Sequence, residues 1–144
     1  MTLLEKRTAL AIGLALAGWV ATVQTQDGKK PPTPVTTNFT GRVSSLDASD
    51  IRSVRFQYAA GARSYWHTHG GDQILVLEQG KGRLQIKGQP MREFGPKEPV
   101  MLPGGVPHWH GAAPDQGLVQ IAVNIGPATF DGPVSDDEYL GRAR

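Results

Sequence analysis

The chain has four histidines in 144 residues, and all four fall in two glycine-bounded frames. The first frame holds Gly61, His67, His69, Gln73 and Gly80; the second holds Pro103, Gly105 and His108, with His110 two residues on. His67 and His69 are two apart, so an extended strand places both rings on one face, with Trp66 and Thr68 on the other. Such a pair can converge on one ion at the roughly 2.0–2.2 Å that an imidazole nitrogen requires. Gly70, Gly71 and Asp72 are turn-forming residues, and a turn there folds Gln73 back beside the pair. His108 arrives from a distant hairpin after the proline- and glycine-rich stretch 102–107, and His110 shares its parity. One histidine alone is more often structural than a ligand, and a pair alone is ambiguous. Gln73 and His108 in matching frames tip the reading to one metal ion held by a β-barrel. His110 is either a functional group or a hydrogen-bonded neighbour.

Three neutral imidazoles and a neutral amide bring no charge, so a divalent ion keeps its full +2 and acts as a stronger Lewis acid. Imidazole suits zinc, iron, nickel and copper, and an amide oxygen suits manganese. Four protein ligands leave open positions on an octahedral ion, which catalysis needs. Strand parity places Arg63 and Tyr65 on the face of His67, where Arg63 binds substrate and Tyr65 donates a proton, orients substrate or packs as a barrel aromatic. His110 is the best acid/base candidate, because only histidine titrates near neutral pH unaided.

The segments that must position these groups read as short strands. Residues 54–58, 63–68, 73–79, 83–87, 91–94, 100–102, 108–112 and 118–125 carry the apolar and β-branched pattern, separated by turn residues. Gly80-Lys81-Gly82 reads as a hairpin turn. Eighteen glycines and eleven prolines agree with an all-β chain. In residues 118–125, Val119, Ile121, Val123 and Ile125 share one face, and Gln120 and Asn124 the other. If Gln120 and Asn124 line a polar, substrate-binding cavity, the apolar stripe faces outward. A water-exposed stripe of that kind predicts a dimer or higher oligomer. Ser135, Asp136, Asp137 and Glu138 have the pattern of a capping box opening a short terminal helix.

The two frames resemble the two motifs of the cupin superfamily, over roughly residues 51–125. The first motif matches with Gln73 where glutamate is usual. In the second, Gly95 stands eight residues before Pro103, where six is usual, and Ala112 replaces asparagine. Trp66-His67-Thr68-His69, Gln73 and the stretch 108–114 are similar to small single-domain cupins with three histidines and a glutamine. These include manganese-dependent cupin hydroxynitrile lyases and cupins associated with carboxymuconolactone decarboxylases. The resemblance implies a single jelly-roll (double-stranded β-helix) barrel, ligands His67, His69, Gln73 and His108, and manganese or iron. It implies lyase or dioxygenase-like chemistry on a small molecule, with a non-catalytic small-molecule- or metal-binding cupin as the alternative. In the lyases a further histidine acts as base; its place here is taken by Gln120, which cannot exchange a proton at neutral pH.

Composition narrows the rest. One domain of this length carries a net charge of +2, with basic and acidic residues interspersed, which argues against nucleic-acid binding. There is no cysteine, so thiolate ligands and a disulfide scaffold are excluded. Lys6 and Arg7 precede an uncharged stretch, 8–23, that reads as a secretory signal peptide, an uncleaved membrane anchor, or a buried helix. The expected order is a leader over 1–23, a proline-rich linker over 24–37 and the folded domain over 38–144, in an exported, periplasmic or membrane-anchored protein.

Overall fold

The computed structural model describes residues 30–35 and 37–142. The leader and half of the linker, residues 24–29 and 36, lie outside the described residues. The chain divides into two compact units, to Asp47 and from Ala48 to Arg144. In the first, β1 (Thr33–Val35) and β2 (Val43–Ser45) form an antiparallel pair. β1 falls within the stretch read as a linker.

The second unit carries the site. Its strands are β3 (Ile51–Tyr58), β4 (His67–His69), β5 (Gln73–Gly80), β6 (Gly82–Ile86), β7 (Arg92–Phe94), β8 (Val100–Leu102), β9 (His108–Ala112), β10 (Leu118–Ile125) and β11 (Ala128–Phe130). They form a four-stranded sheet, β3-β10-β5-β8, and a five-stranded sheet, β11-β4-β9-β6-β7, and every pairing is antiparallel. Leu75, Leu77, Val100, Leu102, Leu118 and Ala122 of the first sheet pack in one cluster with Leu84, Phe94 and Ala112 of the second. The core therefore lies between two facing layers, each contributing alternate residues.

The closed jelly-roll barrel implied by the resemblance is not formed. Neither sheet closes on itself, and no ladder joins the four-stranded sheet to the five-stranded one among the described residues. The chain changes sheet between β4 and β5, and again between β5 and β6. Gly80-Lys81-Gly82 is thus a corner between layers and not the hairpin turn the sequence suggests: β5 pairs with β10 and β8, and β6 with β7 and β9. The physical reason is burial. Both layers must turn an apolar face inward, and a corner achieves that without strand-to-strand closure.

Strand 63–68 is also shorter than expected. Only His67–His69 is ladder-paired; Arg63 makes an isolated bridge to Gly111. Between them, Ser64 N–H donates to the His110 carbonyl and Trp66 N–H to that of Gly132. These bonds take the backbone out of regular alternation, so parity carried back from His67 does not fix where Tyr65 and Arg63 point.

A four-residue helix, α1 (Asp136–Tyr139), closes the far side of β9. Its capping box is complete: Ser135 Oγ accepts from Glu138 N–H, and the Glu138 carboxylate accepts from Ser135 N–H. Tyr139 is buried against Trp109, and its hydroxyl donates to the Ala112 carbonyl at 2.7 Å. Trp109 has no exposed surface. This packing fixes the strand whose other face carries His108 and His110.

Candidate metal centre

Three elements deliver the imidazoles. β4 carries His67 and His69, and β9 pairs with it so that His67 stands opposite His108. The turn after His69 is clamped to the loop before His108. Gly105 N–H donates to the His69 carbonyl, and Gly104 N–H to Asp72 Oδ1, each at 2.9 Å. A Cβ on Gly104 would lie 2.7 Å from the Gly71 carbonyl carbon, so this close approach requires glycine. Donor nitrogens of His67, His69 and His108 all come within 4.8 Å of one another, and all three residues are buried. Ligands about 2.0–2.2 Å from a shared centre span up to twice that distance, so the triad needs at most a small inward shift to close on one ion.

The ring orientations are set by the backbone. His67 Nδ1–H donates to the Tyr65 carbonyl at 2.9 Å, and His108 Nδ1–H to the Val106 carbonyl at 2.8 Å. Each bond fixes the tautomer and leaves a lone pair on Nε2. Burial lowers His67 below the usual imidazole range, against the upward pull of the Tyr65 carbonyl. Burial, and then the charge on His67, lower His69. Burial lowers His108 to about 4. All three are therefore neutral at pH 7, the form that ligates.

Gln73 stands on the opposite layer, facing the triad. Its Nε2 donates to Asn124 Oδ1 at 2.6 Å and lies 3.1 Å from His69 Nε2, and its Oε1 lies 3.1 Å from His108 Nε2. The register explains this: Asn124 pairs with Gln73 on one side and with Arg52 on the other. Gln120, two residues before Ala122 on the same face, is fully buried, and its Nε2 donates to His110 Nδ1 at 3.1 Å. Burial, with the neighbouring histidines, holds His110 well below its ordinary value.

A cavity of about 220 Å³ opens on this cluster. His67, His69, Gln73 and His110 form one wall. Val54, Phe56 and Tyr58 of β3, with Phe130 of β11, form the apolar remainder. Phe130 stacks on His67 at 5.4 Å with 28° between ring planes. Tyr58 meets His110 edge-on at 6.3 Å, and burial raises its hydroxyl above the usual phenol range.

The Cupin domain family matches residues 54–124, which span both histidine frames. A relative described as (R)-mandelonitrile lyase from Granulicella tundricola is 33% identical over 100 residues, covering 65% of this chain and 74% of that protein. The chain belongs to the cupin superfamily. A cupin-like protein from Thermotoga maritima superposes with a TM-score of 0.61 at 34% identity, over 79% of this cupin and 95% of that chain. A DMSP lyase from Ruegeria pomeroyi shares the fold alone, with a TM-score of 0.53 at 20% identity over 63% and 48% of the two chains.

The donor set of this cupin fits a divalent cation. A neutral His108 that donates through Nδ1 has only a lone pair on Nε2, and that lone pair faces the lone pairs of Gln73 Oε1. Two acceptors at hydrogen-bond distance repel unless a cation lies between them. His69 Nδ1 is in addition buried without a hydrogen-bond partner.

The other expected site residues divide. His110, Gln120 and Asn124 join the cluster through the bonds above. Arg63 is engaged elsewhere: its guanidinium donates to the Val134 carbonyl and to Asp136, and lies 4.3 Å over the Tyr139 ring. The Tyr65 side chain is 55% exposed, and its carbonyl serves His67. Sequence reading overlooked Arg52, Phe56, Tyr58 and Phe130. The alternation of β3 carried the signal for the first three, since Arg52, Phe56 and Tyr58 share the parity of Val54. Phe130 lies beyond the motifs, and only pairing to His67 brings it to the cavity.

Proposed function

We propose that this cupin is a metal-dependent lyase that cleaves a small hydroxylated molecule, with a cyanohydrin of the mandelonitrile type as the first candidate. The observation that carries the reading is the buried His67, His69 and His108 triad, of which His67 and His69 line a cavity with an apolar wall. The similarity to a protein described as a mandelonitrile lyase supports the reaction class. His67, His69 and His108 would hold the ion, with Gln73 Oε1 as fourth donor. The amide oxygen suits manganese and the imidazoles suit iron, zinc, nickel or copper, and the family resemblance favours manganese or iron. The bound ion supplies Lewis acidity toward a substrate hydroxyl.

The chain's own residues then divide the remaining work. Phe56, Phe130 and Val54 hold the apolar part of the substrate. Asn124 orients the Gln73 amide. Gln120 occupies Nδ1 of His110, so the His110 proton sits on Nε2, where it can stabilise the leaving anion. Gln120 itself exchanges no proton, so His110 acts through its Nε2–H as a hydrogen-bond donor to the site.

The test is cleavage of (R)-mandelonitrile to benzaldehyde and cyanide by manganese-loaded protein. Turnover should be abolished by chelation and by His67→Ala. A fully metal-loaded protein inert toward a panel of aromatic and aliphatic cyanohydrins would overturn the lyase reading in favour of a binding protein. We also propose self-association through the outward stripe of β10, where Val119, Ile121 and Val123 are half-buried, with Ile74 of β5 between Val123 and the 63% exposed Met101 of β8. Light scattering that returns a monomer mass at micromolar concentration would refute it.

A further inference from the structure

The cavity has two unlike ends. Phe56 and Phe130 are large aromatics with 42% and 63% of their surface exposed, both lining the cavity that His67 and His69 line. Arg52 lines the same cavity. It also lines an adjoining recess of about 390 Å³ with Ser49, Asp50, His69 and Asn124. Arg52, Asn124 and Gln73 form one transverse row across β3, β10 and β5. Two strand spacings separate the backbones of Arg52 and Gln73, about 10 Å. An arginine side chain extends well into that gap.

The other arginines on these sheets have work of their own. Arg55 pairs with Glu78, Arg63 with Asp136, Arg83 with Glu93 and Arg92 with Glu98. No such pair is made by Arg52 among the described residues. Arg52 stands at the mouth of an apolar cavity with its guanidinium open to solvent. It is a specific partner for a carboxylate, which its planar fork binds in two parallel hydrogen bonds.

From this we infer that the cavity selects anionic aromatic molecules: one ring between Phe56 and Phe130, an oxygen toward the histidine triad, and a carboxylate on Arg52. The volume, about 220 Å³, has room for one ring with small substituents. The inference rests on the cavity being the substrate site of the metal centre, and it concerns what binds there, whatever reaction follows.

The test uses the full manganese-loaded chain and two probes of one shape, para-hydroxymethylbenzoate and its neutral amide, with dissociation constants measured by calorimetry. A charge-assisted, fork-shaped contact should favour the acid about tenfold or more. Arg52→Gln should erase that preference by weakening the acid alone. Phe130→Ala should weaken both probes alike. Arg52 is exposed on β3, so its variant should keep the fold, as circular dichroism will show. Equal affinity for the two probes in the native protein, failure of both to bind, or a preference that survives Arg52→Gln overturns the inference. Because binding is read without turnover, inertness toward cyanohydrins with an intact Arg52 effect defeats the lyase reading alone. Cyanohydrin cleavage without that effect defeats this inference alone.

Discussion

Gln73 Oε1 and His108 Nε2 lie 3.1 Å apart, and neither atom carries a proton when His108 is neutral. The pair is held by the backbone on one side, through Val106, and by Asn124 on the other. Its repulsion is relieved by a shared cation. Gln73→Glu adds a negative charge at that point. Affinity for manganese should rise at least tenfold, on the order expected for changes at and around a ligand, while the Lewis acidity available to substrate falls. Calorimetric titration with the metal and turnover on the loaded variant check the two halves. An unchanged manganese affinity would remove Gln73 from the ligand set.

Metal binding should stabilise the fold, because the ligands come together only in the native state. At a hundredfold excess over the dissociation constant the gain is about 2.7 kcal/mol. For a domain of this size that is a rise in Tm on the order of 10 °C. Differential scanning fluorimetry with and without manganese measures it. His67→Ala and His108→Ala should lose the shift, and native protein that melts at one temperature in both conditions contradicts a preformed site.

The metal-free protein should lose stability in acid. Burial lowers all four histidines below the ordinary value of 6.5, with His108 near 4. Below pH 6.5 the unfolded chain takes up protons that the folded chain refuses, so stability rises with pH. It is complete above about pH 6.5 and falls as the pH drops toward 4. Thermal melts of chelator-treated protein across that window should show a progressive decline. A flat profile means that the histidines titrate alike in both states.

The C-terminal clasp should matter for stability and not for ligation. Tyr139→Phe deletes a buried hydroxyl that donates to the Ala112 carbonyl, at a cost of about 1–2 kcal/mol. Ser135→Ala removes the helix cap and costs about 1 kcal/mol. Chemical denaturation gives both values, and metal titration should show little change in either variant. A Tyr139→Phe protein that folds normally yet fails to bind metal would assign α1 a direct part in shaping the centre.

The metal triad was legible from its histidines because a two-residue spacing on β4 is a local rule: alternation alone puts His67 and His69 on one face. The same rule failed at Arg63 and Tyr65. There the backbone leaves the strand to bond with His110 and Gly132, and Arg63 finds Asp136, far along the chain. Closure of the strands into a barrel was not in the sequence either. Motif spacing reports which residues turn and which extend, but not whether edge strands meet. For Gln120 and Asn124 the sequence posed two faces, and the register with Leu77 and Gln73 selected one.

By itself, then, the sequence determined the donor types, their strand parity, the glycine turns between them and the capped terminal helix, since each depends on neighbours a few residues apart. Tertiary structure alone decided that Phe130 covers His67, that Gln120 holds His110, and that Arg52 shares a row with Gln73. Those contacts join different strands ten or more residues apart, and pairing between strands, not local propensity, sets them.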